Sequence, residues 1–247
     1  MRVYGVNDDD DTVHKLAQTA HALATGKVGS GFDIAAATYG SVVYVRYSPD
    51  IVKELPAEYT NEQLLELINR KWDYTAEKFS LPESFRIVFA NFVGEAMITT
   101  KAVGSVSAFK AKDLATYNSL IGEMNDENTK AIEELRNFVQ SNASKFTDAF
   151  NKGRALLKRL GELSNVGIEP DDCTELIEQS NRNGALVCKL PGAGGKDAIA
   201  AICLGEENEA RLRKFWSLRK ELHVLDIGVY DGGQNNRKGT RRHKVVR

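Results

Sequence analysis

Two short stretches of this chain bring glycine, lysine, a hydroxyl or free backbone amides, and a carboxylate close together. In the first, Lys27, Gly29, Ser30, Gly31 and Asp33 lie within seven residues. Glycines let a backbone approach a ligand with no Cβ in the way. A helix opening from such a loop turns its N–H groups and its dipole toward an anion. Lys27 adds a full positive charge, and Asp33 would project from the same loop or the first helical turn. That set suits phosphoryl transfer, which needs positioning and charge neutralisation more than covalent chemistry. The second stretch, Pro191-Gly192-Ala193-Gly194-Gly195-Lys196-Asp197, follows an apolar run and repeats the chemistry: backbone amides, then a lysine, then an acid. Each stretch also has a plainer reading. The first can be a turn with Asp33 capping a helix, the second a hairpin or helix-cap loop. A glycine-rich loop standing alone is a weak signal.

The elements that must hold these loops can be read from periodicity. Val13, Leu16, Ala17, Ala20 and Leu23 recur at helical spacing after Asp11-Thr12 and predict a helix that stops at Gly26 and buries that face. Residues 41–47, SVVYVRY, alternate and are β-branched and aromatic, so they predict a strand. Helix is expected in the second half of 49–70, and a strand at 72–81. A strand is expected at 85–93 and helices at 98–112, 112–140, 141–163 and 171–181, the last opened by Pro170. Strands at 185–190, 198–204 and 221–227 with a helix at 206–220 complete an interleaved α+β or α/β pattern.

Composition narrows the class. The 247 residues are 42% hydrophobic and 27% charged, with 20 glycines, which is the profile of a globular protein with a sizeable core. No apolar run is long enough to span a membrane. Residues 1–11 carry four consecutive aspartates and no apolar segment, so they do not read as a signal peptide, and a cytoplasmic location is the default expectation. Cys173, Cys188 and Cys203 have no C-x-x-C spacing, which predicts neither a disulfide framework nor a zinc site. Residues 237–247 hold six Lys or Arg and no acid, against a net charge of -1 overall. The remainder therefore lacks the broad basic face of a nucleic-acid binder, and nucleic acid is not an expected partner. His14 and His21 lie seven residues apart on one helix with no further ligands, so packing or surface roles are expected. Trp72 and Trp216 read as core.

The run V-x-x-L-A-Q-x-A-H-x-x-A-x-x-K-V-G-S-G-F-D-I-A-A-A-x-Y-G-S-V-V-Y at 13–44 closely resembles the eukaryotic-type phosphomevalonate kinases, and so does P-G-A-G-G-K-D-A-I at 191–199. The resemblance implies membership of the GHMP kinase superfamily. It implies an α+β architecture: a partial ribosomal protein S5 domain 2-like N-terminal part followed by a ferredoxin-like C-terminal domain. The implied division is 1–81, 82–230 and a basic tail at 231–247. It further implies ATP-dependent phosphorylation of (R)-5-phosphomevalonate to the 5-diphosphate in isoprenoid synthesis, with ATP and Mg²⁺ as cofactors. By position, Asp33 matches the acid of the family's G-S-G-F-D loop, and Lys27, Gly29, Ser30 and Gly31 match the neighbours that face the substrate phosphate. Gly192, Ala193, Gly194 and Gly195 match the third GHMP motif, and Asp197 the acid after it. Thr99, Thr100 and Lys101, in a segment that departs from the family's G-x-S-x-T-P-like pattern, could still place hydroxyls and a charge at a helix start. Lys196 stands where the family usually has an aromatic or small residue.

One family feature is missing from the sequence. The P-x-x-x-G-L-G-S-S-A loop that binds ATP phosphates in these kinases does not occur in the 247 residues. The expectation is therefore a chain carrying the substrate-side part of the enzyme, without ATP turnover on its own. The alternative is a non-catalytic GHMP-like binding module.

Overall fold

The computed structural model describes residues 9–56, 58–94 and 99–227. The acidic start before Asp9 and the basic segment 237–247 lie outside the described residues. Two compact units divide the described chain between Ser80 and Leu81.

The first unit begins with α1 (Asp10–Thr25). Asp9 caps it by accepting from the Thr12 amide at 2.8 Å, and Gly26, at φ 68°, ends it in the left-handed region. A turn leads to α2 (Phe32–Tyr39) and then to β1 (Val42–Val45). After the short α3 (Asp50–Lys53), a capping box between Thr60 and Gln63 opens α4 (Asn61–Asn69). β2 (Thr75–Lys78) returns antiparallel to β1, with Val42 opposite Lys78. The core gathers Ala22, Tyr47, Val52, Leu67, Ile68 and Trp72. The Trp72 indole N–H is satisfied by the Leu67 carbonyl at 2.9 Å.

The expected inner face of α1 is corrected by the structure. Its buried residues are His14, Lys15, Gln18, Thr19 and Ala22; of the expected face, Val13, Leu16 and Ala17 are half-buried, with Leu16 against the core, whereas Ala20 is exposed and Leu23 is 39% exposed. The physical reason is that most of these polar groups find partners in the fold. Lys15 Nζ donates to the Arg70 carbonyl at 2.8 Å and pairs with Asp11 at 2.7 Å, while Gln18 Nε2 donates to the Gly31 carbonyl at 2.8 Å. Once paired, a buried polar group no longer carries its desolvation penalty, so tertiary hydrogen bonds override the apolar period.

The second unit starts with β3 (Phe85–Phe92), followed by α5 (Thr99–Lys112), α6 (Leu114–Arg136), a single 3-10 turn, α7 (Ala143–Leu163) and α8 (Asp171–Arg182). β4 (Ala185–Lys189) and β5 (Ala198–Leu204) flank the second glycine loop, and α9 (Gly205–Ser217) leads to β6 (Leu222–Val224). The sheet order is β4-β5-β3-β6, antiparallel throughout. This is a β-α-β-β-α-β chain with its first and third strands central, the ferredoxin-like arrangement. β4 carries a bulge at Leu186, since Ala185 pairs with Cys203 but Val187 with Ile202.

Alternation along β5 feeds both faces of this sheet. Ile199, Ala201 and Cys203 join Val88, Ile177, Cys188, Leu212 and Trp216 on the side of α8 and α9. Phe85, Val187, Ile202 and Leu204 meet Phe146 and Phe150 of α7 on the other. Trp216 donates to Ser180 Oγ at 2.9 Å. The three cysteines are free and buried; burial pushes the Cys173 thiol up to about 11 and Cys203 up to about 12, so they are packing residues rather than nucleophiles. Among the described residues, no helix is long and apolar enough to cross a membrane.

Candidate functional site

The first glycine stretch forms a turn joining α1 to α2, and Lys27, Gly29, Ser30, Gly31 and Asp33 all belong to it or to the first turn of α2. Lys27, Ser30 and Asp33 are exposed. Gly31, at φ 69°, is the N-cap of α2, and no side chain caps that helix. The plainer reading, with Asp33 as cap, is therefore replaced: Asp33 sits one residue inside the helix, where its charge favours the dipole. A Cβ on Gly31 would overlap the Gln18 carboxamide, so glycine is required both by φ and by space. Lys27 and Lys53 rim an open cavity of about 270 Å³ with Ala22, Val28 and Val52 at its base.

Two side chains that the sequence reading did not single out hold this turn. Arg46 Nη1 donates to the Gly29 carbonyl at 3.1 Å and Gln18 Nε2 to the Gly31 carbonyl at 2.8 Å, while the Thr25 hydroxyl donates to the His21 carbonyl at 2.8 Å. Gln18 stands inside the quoted 13–44 run, but no periodicity marks it as inward-facing.

Behind the turn lies a second feature absent from the sequence reading. His14 is fully buried, its ring 4.5 Å from the Tyr74 ring, 5.3 Å from Tyr39 and 5.5 Å from Tyr44. The Tyr44 hydroxyl meets His14 Nε2 at 3.3 Å, the Tyr39 and Tyr74 hydroxyls share a 2.6 Å hydrogen bond, and Tyr74 donates onward to Asp11. Burial pushes His14 down to about 4 and Tyr44 up to about 12, so the imidazole and this phenol are neutral at physiological pH. The cluster ties α1, α2, β1 and the Tyr74 segment together. The packing role expected of His14 is observed; His21 is exposed.

The second glycine stretch belongs to the other unit. Gly192, Gly194 and Gly195 have φ of 65°, 78° and 72°. The Gly194 amide closes a turn onto the Pro191 carbonyl at 3.2 Å, and the Gly195 amide donates to the Ile168 carbonyl at 2.8 Å. A Cβ on Gly194 would overlap that same Ile168 carbonyl oxygen. The loop is thus seated on the segment before α8. Glu169, buried in that segment, pairs with Arg154 Nε at 3.1 Å and accepts from Thr174 Oγ1 at 2.9 Å. Lys158 reaches both Asp171 at 2.7 Å and Thr174 at 2.8 Å. Lys196 pairs with Asp172, and that hydrogen bond holds the Asp172 carboxyl below the usual carboxylate range. Burial holds Lys189, at the end of β4, below the usual lysine range. Gly192 and Asp197 are exposed, Ala193 is half-buried, and the Asp197 carbonyl accepts from the Phe92 amide at 3.0 Å. Thr99 and Lys101 fall in the first turn of α5, where Lys101 is exposed; residues 95–98 lie outside the described residues.

The chain has recognisable relatives. The family model for the C-terminal part of GHMP kinases matches residues 135–220. A phosphomevalonate kinase of Gibberella zeae is 32% identical over 231 residues, covering 88% of this chain and 51% of that protein. The peroxisomal phosphomevalonate kinase of Arabidopsis thaliana is 29% identical over 259 residues, again 88% of this chain and 51% of that one. The chain therefore spans about half the length of these curated relatives. Among solved structures, the Lin0012 protein of Listeria innocua superposes with a TM-score of 0.74 at 24% identity over 88% of this chain and 59% of that one. The Streptococcus pneumoniae phosphomevalonate kinase in complex with phosphomevalonate and AMPPNP gives 0.67 at 18% identity over 91% of this chain and 62% of that one. At these identities the structures establish a shared fold.

Proposed function

We propose that this chain, which belongs to the GHMP kinase superfamily and is related to its phosphomevalonate kinases, provides the acceptor side of an ATP-dependent phosphorylation of (R)-5-phosphomevalonate to the 5-diphosphate. The observation that carries the reading is the similarity, near 30% identity, to phosphomevalonate kinases over 88% of the chain. The geometry supports it through the first turn, where Lys27, Ser30 and Asp33 are exposed beside uncapped helix amides.

The acceptor in this reaction is itself a phosphomonoester with a second pKa near about 6. At neutral pH its attacking oxygen is mostly ionised, so little is gained from a general base. What must be overcome is the repulsion between two anions. Lys27 is assigned to neutralise charge between the acceptor and the transferring phosphoryl group, and Asp33 to orient Lys27 or to help hold a metal ion. Gly29, Ser30 and Gly31 are assigned to the acceptor phosphate. Within the second unit, Gly192, Ala193, Gly194, Gly195 and Asp197, with Thr99 and Lys101, are assigned as substrate-binding residues.

Among the described residues, no three His, Cys, Asp or Glu side chains converge as a metal cage. Mg²⁺ bound with a nucleotide needs only one or two protein carboxylates, and the exposed Asp33 fits that requirement. When bound with ATP, Mg²⁺ supplies charge neutralisation on the phosphates. The phosphate-loop run of these kinases is not in the sequence, so no residue is assigned to the nucleotide phosphates.

The test is calorimetry with (R)-5-phosphomevalonate, together with coupled ADP release, on this chain and on one extended upstream in its gene. The reading expects phosphomevalonate binding by this chain and turnover by the extended one. Failure of both forms to bind phosphomevalonate would overturn it. Binding by both with turnover by neither would favour the non-catalytic module.

A further inference from the structure

The turn at 26–31 is glycine-rich and partly exposed, yet two of its carbonyls are fastened: the Gly29 carbonyl by Arg46 and the Gly31 carbonyl by Gln18. A trans peptide is planar, with the C=O of one residue and the N–H of the next pointing in opposite directions. Fastening those two carbonyls therefore turns the N–H groups of Ser30 and Phe32 away from Arg46 and Gln18. The first amides of a helix have no partner within it, and α2 has no side-chain cap to use them.

Gln18 is the more constrained of the two. It is 2% exposed, it points from the inner face of α1, and its carboxamide fills the space that a Cβ on Gly31 would need. The Gly31 carbonyl accepts from Gln18 Nε2 at 2.8 Å and also from the Ala35 amide at 3.0 Å, so both its lone pairs are engaged. A glutamate at this position would set a buried carboxylate against a carbonyl oxygen, at a steep cost. An apolar side chain of the same length would fill the space but leave the Gly31 carbonyl held by the Ala35 amide alone.

We infer that Gln18 and Arg46 are positioning residues. They hold the carbonyls of the turn inward so that its amides stay directed at the phosphate of the acceptor. This rests on the reading of the turn as facing that phosphate. Neither side chain is assigned any contact with substrate.

The test uses the full chain with Gln18→Met, which keeps length and apolar volume but removes the donor, and with Arg46→Met. Arg46 is exposed, so its replacement leaves the fold in place even if the Gln18 variant does not fold. Backbone ¹⁵N order parameters and the affinity for (R)-5-phosphomevalonate are both measured. In Gln18→Met, order parameters at 29–33 should fall from about 0.85 to below about 0.6, while those of α4 stay unchanged. The dissociation constant for phosphomevalonate should rise about tenfold. Arg46→Met should loosen residues 28–30 and weaken binding about threefold. A turn that stays rigid in both variants, or a loss of order spread evenly over the first unit, overturns the inference. Unchanged phosphomevalonate affinity in a loosened turn also overturns it. If the wild-type chain binds no phosphomevalonate while the order parameters respond as stated, the acceptor reading fails and the pinning of the turn stands.

Discussion

Acidification should loosen the first unit through His14. In the folded chain burial holds this imidazole at about 4, against an ordinary value of 6.5. Between those values the unfolded chain binds a proton that the folded chain refuses, so stability rises with pH across that window. His14 therefore adds stability in full above pH 6.5 and loses it as pH falls toward 4. With these two values the loss between pH 7 and pH 5 is about 2 kcal/mol, and between pH 7 and pH 4 about 3 kcal/mol. The environment explains the direction. Three tyrosine rings surround the imidazole, Nδ1 is buried with no hydrogen-bond partner, and the favourable field of Asp11 is opposed by Lys15. The carboxylates held below their usual range, such as Asp9 and Asp172, carry little of the slope above pH 5 because they stay ionised there in both states. The two tryptophans divide between the units, Trp72 in the first and Trp216 in the second. Urea unfolding followed by ¹⁹F signals of 5-fluorotryptophan thus reports on each unit separately. The Trp72 signal should show the pH 7 to 5 loss, and a His14→Phe variant, which cannot take up the proton, should lack it. Equal pH slopes for wild type and His14→Phe would refute the reasoning.

Three further outcomes are expected. Gly194→Ala should cost the second unit about 3 kcal/mol or more in urea unfolding, since it combines a left-handed φ with a backbone collision at Ile168; Gly192→Ala, strained in φ but with open space, should cost about 1 kcal/mol. Glu169→Gln should destabilise the same unit by about 3 kcal/mol, because Arg154 then stays largely buried without its counter-charge; an unchanged midpoint would show that the pair adds nothing. In a form of the protein that turns over, Lys27→Met should lower the rate by about 10²–10³ and by more than Asp33→Asn. The reverse order, measured by coupled ADP release, would overturn the assignment of charge neutralisation to Lys27.

Most of the elements were legible because their ends carry local signals. Gly26 ends α1, the β-branched run at 41–47 contains β1, and Pro170 stands as N-cap of α8. The strands of the second unit sit where alternating or apolar runs predicted them. The inner face of α1 was not legible. Its partners are the Gly31 carbonyl, the Arg70 carbonyl and the Tyr44 hydroxyl, 13, 55 and 30 residues from the groups they bind. Periodicity detects apolar faces and is blind to a polar one that is satisfied at a distance. The glycine turn could be picked out from Lys27 to Asp33, but not the hands of Gln18 and Arg46 upon it. Likewise the 191–197 loop was visible by composition, whereas its seat on Ile168 and the Lys196–Asp172 pair depend on how the α8 entry folds back.

The rims of the four-stranded sheet bear on how this chain behaves when crowded. An open strand edge invites another polypeptide to extend the sheet, and proteins blunt such edges with bulges, charges and brevity. β4 has its bulge at Leu186 and a lysine at its last position. β6, on the opposite rim, offers only three residues. A foreign strand would meet a kinked border on one side and a stub on the other, so the sheet of the second unit is a poor seed for fibril growth.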